Sequence, residues 1–431
     1  MRIDLLHPAD QLVMMMNRIY YRGMTTTSGG NLSIKDENGN VWITPRGIDK
    51  GSLTRDDIMC IKPDGRFEGR HEPSSEYPFH LNVYKMRPDI HAVLHAHSPA
   101  LVAFSIVRRI PSLRLTPHVR KVTGEVAMAD YAVPGSAELG DNIGKRFAEG
   151  FSTVILENHG VCIGADSIWD AFMRFETLET TAQLQINALK LGGLRELSDE
   201  RIESTVVKHG HPMPTFVCDF HSSEERAARR DLVKFIHRSY EQALFTSTQG
   251  TYSARLEDGS FLITPYGKDR CYLTEEDLVL VKNACCEAGK VPSRSVRLHQ
   301  EIYRYHPEIR SILIAHPANI MAFAVTENSF DPKTIPESYI LLRNIRKIPF
   351  GLSFLNMPGM AAILSEETPV VICENDCVIV TGNSLLNAFD RLEVAEFTAK
   401  SIINSMGLGE IVHIGDSEIR VIDKVFGLVK S

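Results

Sequence analysis

The sequence predicts two tandem α/β domains, each a central β-sheet flanked by helices in a three-layer α/β/α arrangement. Three observations predict it. The chain has 431 residues, too many for one ordinary hydrophobic core and suited to two. Its second half repeats the first at a spacing of about 220 residues, far too long for a solenoid unit, so the repeat means tandem domains. Within each repeat, short runs rich in β-branched residues alternate with longer stretches of helical period.

The elements follow in order. Ala9 to Tyr21 reads as an opening helix. Thr27-Ser28-Gly29-Gly30-Asn31-Leu32-Ser33 is a glycine-rich turn, where backbone N–H groups can approach an anion closely. Val41–Ile43 is a strand, followed by Thr44-Pro45-Arg46-Gly47, a turn carrying a cation. Pro73-Ser74-Ser75-Glu76 opens the helix Tyr77–Met86, and Ser74 and Ser75 there offer donors to a phosphate or simply cap the helix. Ile90–Leu94 and Thr153–Leu156 are strands bounded by turn formers. Ser167–Leu191 is a long helix with Asp166-Ser167 as its N-cap and Gly192-Gly193 at its end. His209-Gly210-His211-Pro212-Met213-Pro214 breaks regular structure. A charged helix starts at Ser222, with Glu225 completing a capping-box signature. Its Leu232, Phe235, Ile236 and Tyr240 share one face. The boundary is therefore placed near residue 215, giving domains 1–215 and 216–431.

The copies match over several stretches. Val41-Trp42-Ile43-Thr44-Pro45-Arg46-Gly47 returns as Phe261-Leu262-Ile263-Thr264-Pro265-Tyr266-Gly267. Leu53-Thr54-Arg55-Asp56-Asp57-Ile58 returns as Leu273-Thr274-Glu275-Glu276-Asp277-Leu278. Asp170-Ala171-Phe172 returns as Asn387-Ala388-Phe389.

Bulk composition excludes some partners. Hydrophobic content of 43% and charged content of 23% belong to a soluble globular protein. The net charge of −7 argues against a nucleic-acid partner. No apolar run reaches the roughly 18–20 residues a membrane span needs. Met1 to Asp10 lacks a basic region followed by an apolar stretch, so no secretory leader is expected. The eight cysteines follow no framework and are expected to be reduced thiols in a cytoplasm.

The chemistry concentrates in His95-Ala96-His97, expected at the end of the strand Ile90–Leu94. On an extended segment, residues i and i+2 face the same side and can share one ion. Alone this is a weak signal, equally read as two polar residues at a strand end. His159, in the turn Glu157-Asn158-His159-Gly160, supplies a third imidazole if its strand ends on the same side of the sheet. Glu76 can reach such a centre as a ligand or a general acid/base. Three nitrogens with an open position are the ligand set of a catalytic zinc.

Taken in order, Ser28-Gly29-Gly30-Asn31, Thr44-Pro45-Arg46-Gly47, Pro73-Ser74-Ser75-Glu76, His95-Ala96-His97 and Glu157-Asn158-His159-Gly160 resemble the class II aldolase/adducin family. All motifs lie within residues 9–195, and the fold-level pattern returns over 226–405. The resemblance implies that His95, His97 and His159 hold Zn2+, one per chain, and that Glu76 exchanges protons with the substrate. It implies that Gly30, Asn31, Gly47, Ser74 and Ser75 bind the substrate phosphate. Arg46 departs from the family's usual Thr or Ser; it either strengthens the anion site through a bidentate contact or fills the pocket.

In the second copy Thr251, Ser295, Ile314 and Asp376 stand for Asn31, Glu76, His95 and His159, and only His316 survives, for His97. The expected function is thus a zinc-dependent aldolase acting on a phosphorylated sugar or sugar acid through a metal-stabilised enediolate. The alternatives are a 3-oxo-sugar-acid phosphate decarboxylase, a 4-epimerase, or a non-catalytic adducin-like binding protein. The family's epimerases carry Asp where Glu76 stands, which leans the chain towards lyases. A homo-oligomer is expected, a dimer of two-domain chains forming a pseudo-tetramer, with neither nucleic acid nor membrane as partner.

Overall fold

The computed structural model describes residues 3–206 and 212–428, so the break at His209–His211 lies outside the described residues. Two compact units emerge: Met1–Leu113 with His118–Gln183, and Arg114–Pro117 with Leu184–Ser431. The boundary is expected near 215, whereas packing assigns Leu184 onward, together with Arg114–Pro117, to the second unit.

The first repeat runs α1 Pro8–Tyr21, β1 Asn31–Lys35, β2 Val41–Ile43, β3 Met59–Ile61, β4 Phe67–Glu68, α2 Tyr77–Met86, β5 Ala92–Ala96, α3 Pro99–Ile106, α4 Pro117–Thr123, β6 Val126–Ala129, α5 Ala137–Ala148, β7 Thr153–Leu156, β8 Gly160–Ala165 and α6 Ile168–Lys190. Its sheet has the order β4-β3-β2-β1-β5-β8-β7-β6. Neighbours are antiparallel except β6 and β7.

The central strands are buried on both faces, as the three-layer fold requires. Val93, Val154, Leu156 and Cys162 pack with Phe79 and Val83 of α2 and with Leu139, Ile143 and Phe147 of α5. Their alternating neighbours Ala92, Leu94, Ile155, Val161 and Ile163 are buried as well. Fully burying an aliphatic or Phe side chain stabilises by about 1.5–3 kcal/mol, so this layer carries much of the fold. α6 begins where Ser167 accepts the Asp170 N–H, as its N-cap signal predicts.

The strand expected over Ile90–Leu94 runs instead over Ala92–Ala96. Arg87 to Ile90 closes a turn through the Ile90 N–H. Ladder pairing starts at Ala92, which meets Ile34 and Ala165. His95 therefore lies inside the sheet, paired with Asn31 on one side and Cys162 on the other.

The second repeat continues α7 Asp199–Ser204, β9 Thr215–Phe216, α8 Ser223–Glu241, β10 Thr251–Arg255, β11 Phe261–Ile263, β12 Val279–Lys282, β13 Cys285–Glu287, α9 Val296–Tyr305, β14 Ser311–Ala315, α10 Ile320–Ala324, α11 Pro336–Leu342, β15 Arg346–Ile348, α12 Leu352–Leu355, α13 Met357–Ala361, β16 Val370–Cys373, β17 Cys377–Gly382, α14 Leu385–Ser405 and α15 Asp416–Val425. Its sheet has the order β15-β16-β17-β14-β10-β11-β12-β13-β9. Strand for strand this repeats the first sheet, with β9 added in parallel beside β13. On β14, Leu313 and Ala315 join one apolar layer while Ile312 and Ile314 join the other. Ser222 caps α8 by accepting the Glu225 N–H, and the Glu225 carboxylate goes to His221 and Arg229.

Candidate metal and active site

Three segments of the first unit converge on one place. β5 supplies His95 from within the ladder and His97 one residue beyond its end. The β7–β8 turn supplies His159, and it closes tightly because Asn158 adopts a left-handed conformation (φ 54°). Asn is among the few non-glycine residues that tolerate this. Glu76 comes from the N-terminus of α2.

The three imidazoles form a near-equilateral group, with ring centroids 4.7, 4.8 and 4.8 Å apart. One nitrogen from each lies within 4.8 Å of the others, a set that could hold a metal ion. Glycines make this closeness possible. A Cβ on Gly160 would stand 2.5 Å from the Ala96 carbonyl oxygen and 2.8 Å from the His97 ring. A Cβ on Gly30 would stand 2.7 Å from the His95 carbonyl oxygen.

The donor set fits a divalent cation. His95 Nδ1 lies 2.9 Å from the Val161 carbonyl, which can only accept. Nδ1 therefore carries the hydrogen, and Nε2 turns its lone pair to the centre, the tautomer a metal ligand needs. His97 Nε2 lies 2.8 Å from that atom. Burial, then the neighbouring His97 and His159, hold the His95 pKa well below its ordinary value. Burial lowers His97 and His159 too, against the opposing pull of Glu76. All three are thus neutral at pH 7, and neutral imidazole is the form that binds metal.

Glu76 faces this group with both oxygens, Oε2 at 3.3 Å from His95 Nε2 and Oε1 at 3.5 Å from His159 Nε2. Oε2 also accepts a 2.7 Å hydrogen bond from the Asn31 side-chain amide. Oε1 is buried and has no hydrogen-bond partner. A buried carboxylate oxygen without a donor is costly and calls for a ligand or a functional account.

The expected anion-binding residues are only partly gathered. The Thr44–Gly47 turn lies beside Pro73–Ser75, joined by a Pro45–Pro73 bridge and by hydrogen bonds from Arg46 N to Glu72 O and from Ser74 N to Thr44 O. Gly47 (φ +68°) and Ser75 are exposed there, and the buried Ser74 hydroxyl accepts the Glu76 N–H. Gly30 is buried against the His95 backbone. Arg46 is exposed and lies 3.6 Å from Glu72. Asn31 commits its amide to Glu76 and His80, at the metal end of the site.

Sequence reasoning missed three contributors. Lys50 is buried under the Thr44–Gly47 turn, donates to the Pro45 carbonyl at 2.6 Å, and has its pKa lowered to about 8 by that burial. Glu179 of α6 accepts from Ser98 Oγ and from the Ala100 and Leu101 N–H groups, tying down the chain just after His97. His80 and Tyr84, one and two turns beyond Glu76 on α2, meet Ser33 of β1. The signal for this last group was present, since His299, Tyr303 and Ser253 repeat it.

The chain is similar to several known proteins. L-fuculose phosphate aldolase of Methanococcus maripaludis is 36% identical over 174 residues, covering 40% of this chain and 93% of that one. 3-Oxo-tetronate 4-phosphate decarboxylase of Haemophilus influenzae is 31% identical over 198 residues, covering 45% and 93%. A solved L-fuculose 1-phosphate aldolase is 32% identical, with a TM-score of 0.42, over 47% of this chain and 95% of that chain. The pattern of the Class II Aldolase and Adducin N-terminal domain family matches residues 10–186 and again 230–403, and the chain belongs to that family, twice over.

Proposed function

We propose that the first unit is a metal-dependent carbon–carbon lyase acting on a phosphorylated sugar or sugar acid. The observation that carries this reading is Glu76 Oε1, buried and without a hydrogen bond, set beside three neutral imidazoles gathered within reach of one ion. A divalent ion, expected to be zinc and one per chain, would be held by His95, His97 and His159, and when bound would supply Lewis-acid polarisation of the substrate's oxygens. Glu76 would take a proton at Oε1 and return it to the product, while the Asn31 amide holds Oε2 in place. The Thr44–Gly47 turn and Ser74-Ser75 would receive the phosphate, with Lys50 as a cation beneath, while Gly30 would take part from its place against the His95 backbone. Arg46 would meet the phosphate only after leaving Glu72.

Two reactions suit this arrangement. Aldol cleavage is favoured by the Methanococcus relative, and decarboxylation of a 3-oxo acid phosphate by the Haemophilus relative. Both need an electron sink beside a carbonyl and one proton shuttle. Incubation with L-fuculose phosphate and, separately, with 3-oxo-tetronate 4-phosphate distinguishes them: the first releases an aldehyde, the second carbon dioxide. No turnover of either or of related sugar phosphates by metal-loaded protein would favour an adducin-like binding role. Mass in solution tests the dimer of chains, and a fully active monomer would end that expectation.

A further inference from the structure

Behind Glu76 runs a row of buried polar groups that crosses the unit between α2 and β1. Asn31 Oδ1 lies 2.5 Å from His80 Nε2, His80 Nδ1 lies 2.7 Å from Ser33 Oγ, and Ser33 Oγ lies 2.7 Å from the Tyr84 hydroxyl. Asn31, Ser33, His80 and Tyr84 are all buried. The row runs in one direction. A carboxylate accepts, so Asn31 turns its NH2 to Glu76 and its Oδ1 to His80. Only a hydrogen on His80 Nε2 can then satisfy Oδ1, which leaves Nδ1 of the neutral ring to accept from Ser33 and Ser33 to accept from Tyr84.

The second copy shows what this row is for. Ser253, His299 and Tyr303 keep the inner part with the same 2.7 Å spacings. Thr251 stands where Asn31 would be and bonds to Ser293 instead, at 2.6 Å. His299 Nε2 is left buried with no hydrogen-bond partner. The inner triad therefore persists without the site, but its outward-facing nitrogen has nothing to hold.

We propose that His80 is a positioning residue for Glu76, acting through Asn31. Its Nε2–H fixes which end of the Asn31 amide faces the carboxylate, and so holds Oε2 and leaves Oε1 as the atom that exchanges protons. This rests on the reading of Glu76 as the acid/base group.

The test has two arms on the full chain. Histidine-selective 15N labelling of the wild type, assigned by the peak lost in His80→Gln, reads the His80 tautomer directly. The expected form has hydrogen on Nε2; hydrogen on Nδ1 would overturn the proposal without reference to any reaction. The second arm compares His80→Phe, His80→Gln and the matched His299→Phe in melting temperature, metal content, kcat and KM. Both Phe variants should lose similar melting temperature, since both open the same triad. Only His80→Phe should lose kcat, by about tenfold or more as expected for a misplaced catalytic group, with KM and metal content kept. His80→Gln retains an N–H donor near Nε2 and should recover most of the loss. A kcat for His80→Phe within twofold of wild type, or no rescue by Gln, would sink the idea. Should Glu76→Gln itself keep full turnover, the acid/base reading falls while the tautomer result still stands.

Discussion

The two copies share a strand order, a register and much of their buried polar scaffolding, yet they part at one place. The capping boxes Thr54–Asp57 and Thr274–Asp277 are both formed. Glu396 receives Asn319 and Ile320 as Glu179 receives Ser98, Ala100 and Leu101. Asn375 takes the same left-handed turn (φ 51°) as Asn158. Asn31 pairs with His95 as Thr251 pairs with Ile314. What the second copy lacks is Glu76, Asn31, two of three histidines, and the bare backbone at Gly29 and Gly160, now Gln249 and Cys377. Residues present in both answer to the fold; residues present in one answer to the site. A single chain thus carries its own control.

The largest effect should come from the metal. Loaded protein should hold about one ion per chain by elemental analysis, and His97→Ala should lose most of it together with activity. His316→Ala, at the matching position, should change neither. Two ions per chain would break the contrast between the copies. Next is Glu76→Gln, expected to keep the metal and lower kcat by about 10²-fold or more, whereas Ser295→Ala leaves kcat alone. Equal losses in the two variants would make the second copy a participant.

Acid should affect both copies. Burial lowers the His299 pKa from 6.5 to about 3, and pulls His80 well below its ordinary value by burial and by the neighbouring His95. Between the folded and unfolded values the unfolded chain binds a proton that the folded chain refuses. Stability is therefore full above about pH 6.5 and is lost as pH falls towards the folded values, by up to about 1.4 kcal/mol per unit per group. Urea midpoints of chelated protein from pH 7.5 to 4.5 should fall steadily, and His299→Phe should flatten the slope. A flat wild-type curve would contradict the burial of these rings. The smallest effect is local. Gly160→Ala forces a Cβ against Ala96 and His97, costing about 1–3 kcal/mol and weakening the metal site; Cys377→Ala, where a side chain already fits, should leave the metal content unchanged.

Much of this was legible in the residues. α2, β2 and β7 have the bounds that period and turn formers predict, because each is closed by a local signal: Pro and Ser before α2, turn residues around the strands. The apolar pattern sets β5 two residues early because its start is fixed by its partners β1 and β8, which no local pattern of apolar residues records. The three histidines could be grouped in advance because His95 and His97 share one side of an extended segment and His159 sits in the turn that leads into β8, the neighbour of β5. The phosphate role of Asn31 is implied by the family resemblance alone; its side-chain bonds to Glu76 and His80 depend on how β1 packs on α2, which no local pattern records. Lys50 gives no signal because a buried lysine looks, in sequence, like an exposed one.

The ninth strand of the second sheet has a consequence for how such a chain could come apart. β9 is Thr215–Phe216, drawn from the segment that joins the repeats, and it covers the outer side of β13, with Cys286 N donating to Pro214 O and Ala288 N to Phe216 O. An uncovered strand invites pairing with a foreign chain. Cleavage just after β9, between Phe216 and Val217, would sever that cover from the C-terminal fragment and leave β13 a sticky edge. The joint between the two copies is thus a seal as well as a tether, and protease nicking there should be followed by self-association of the C-terminal fragment.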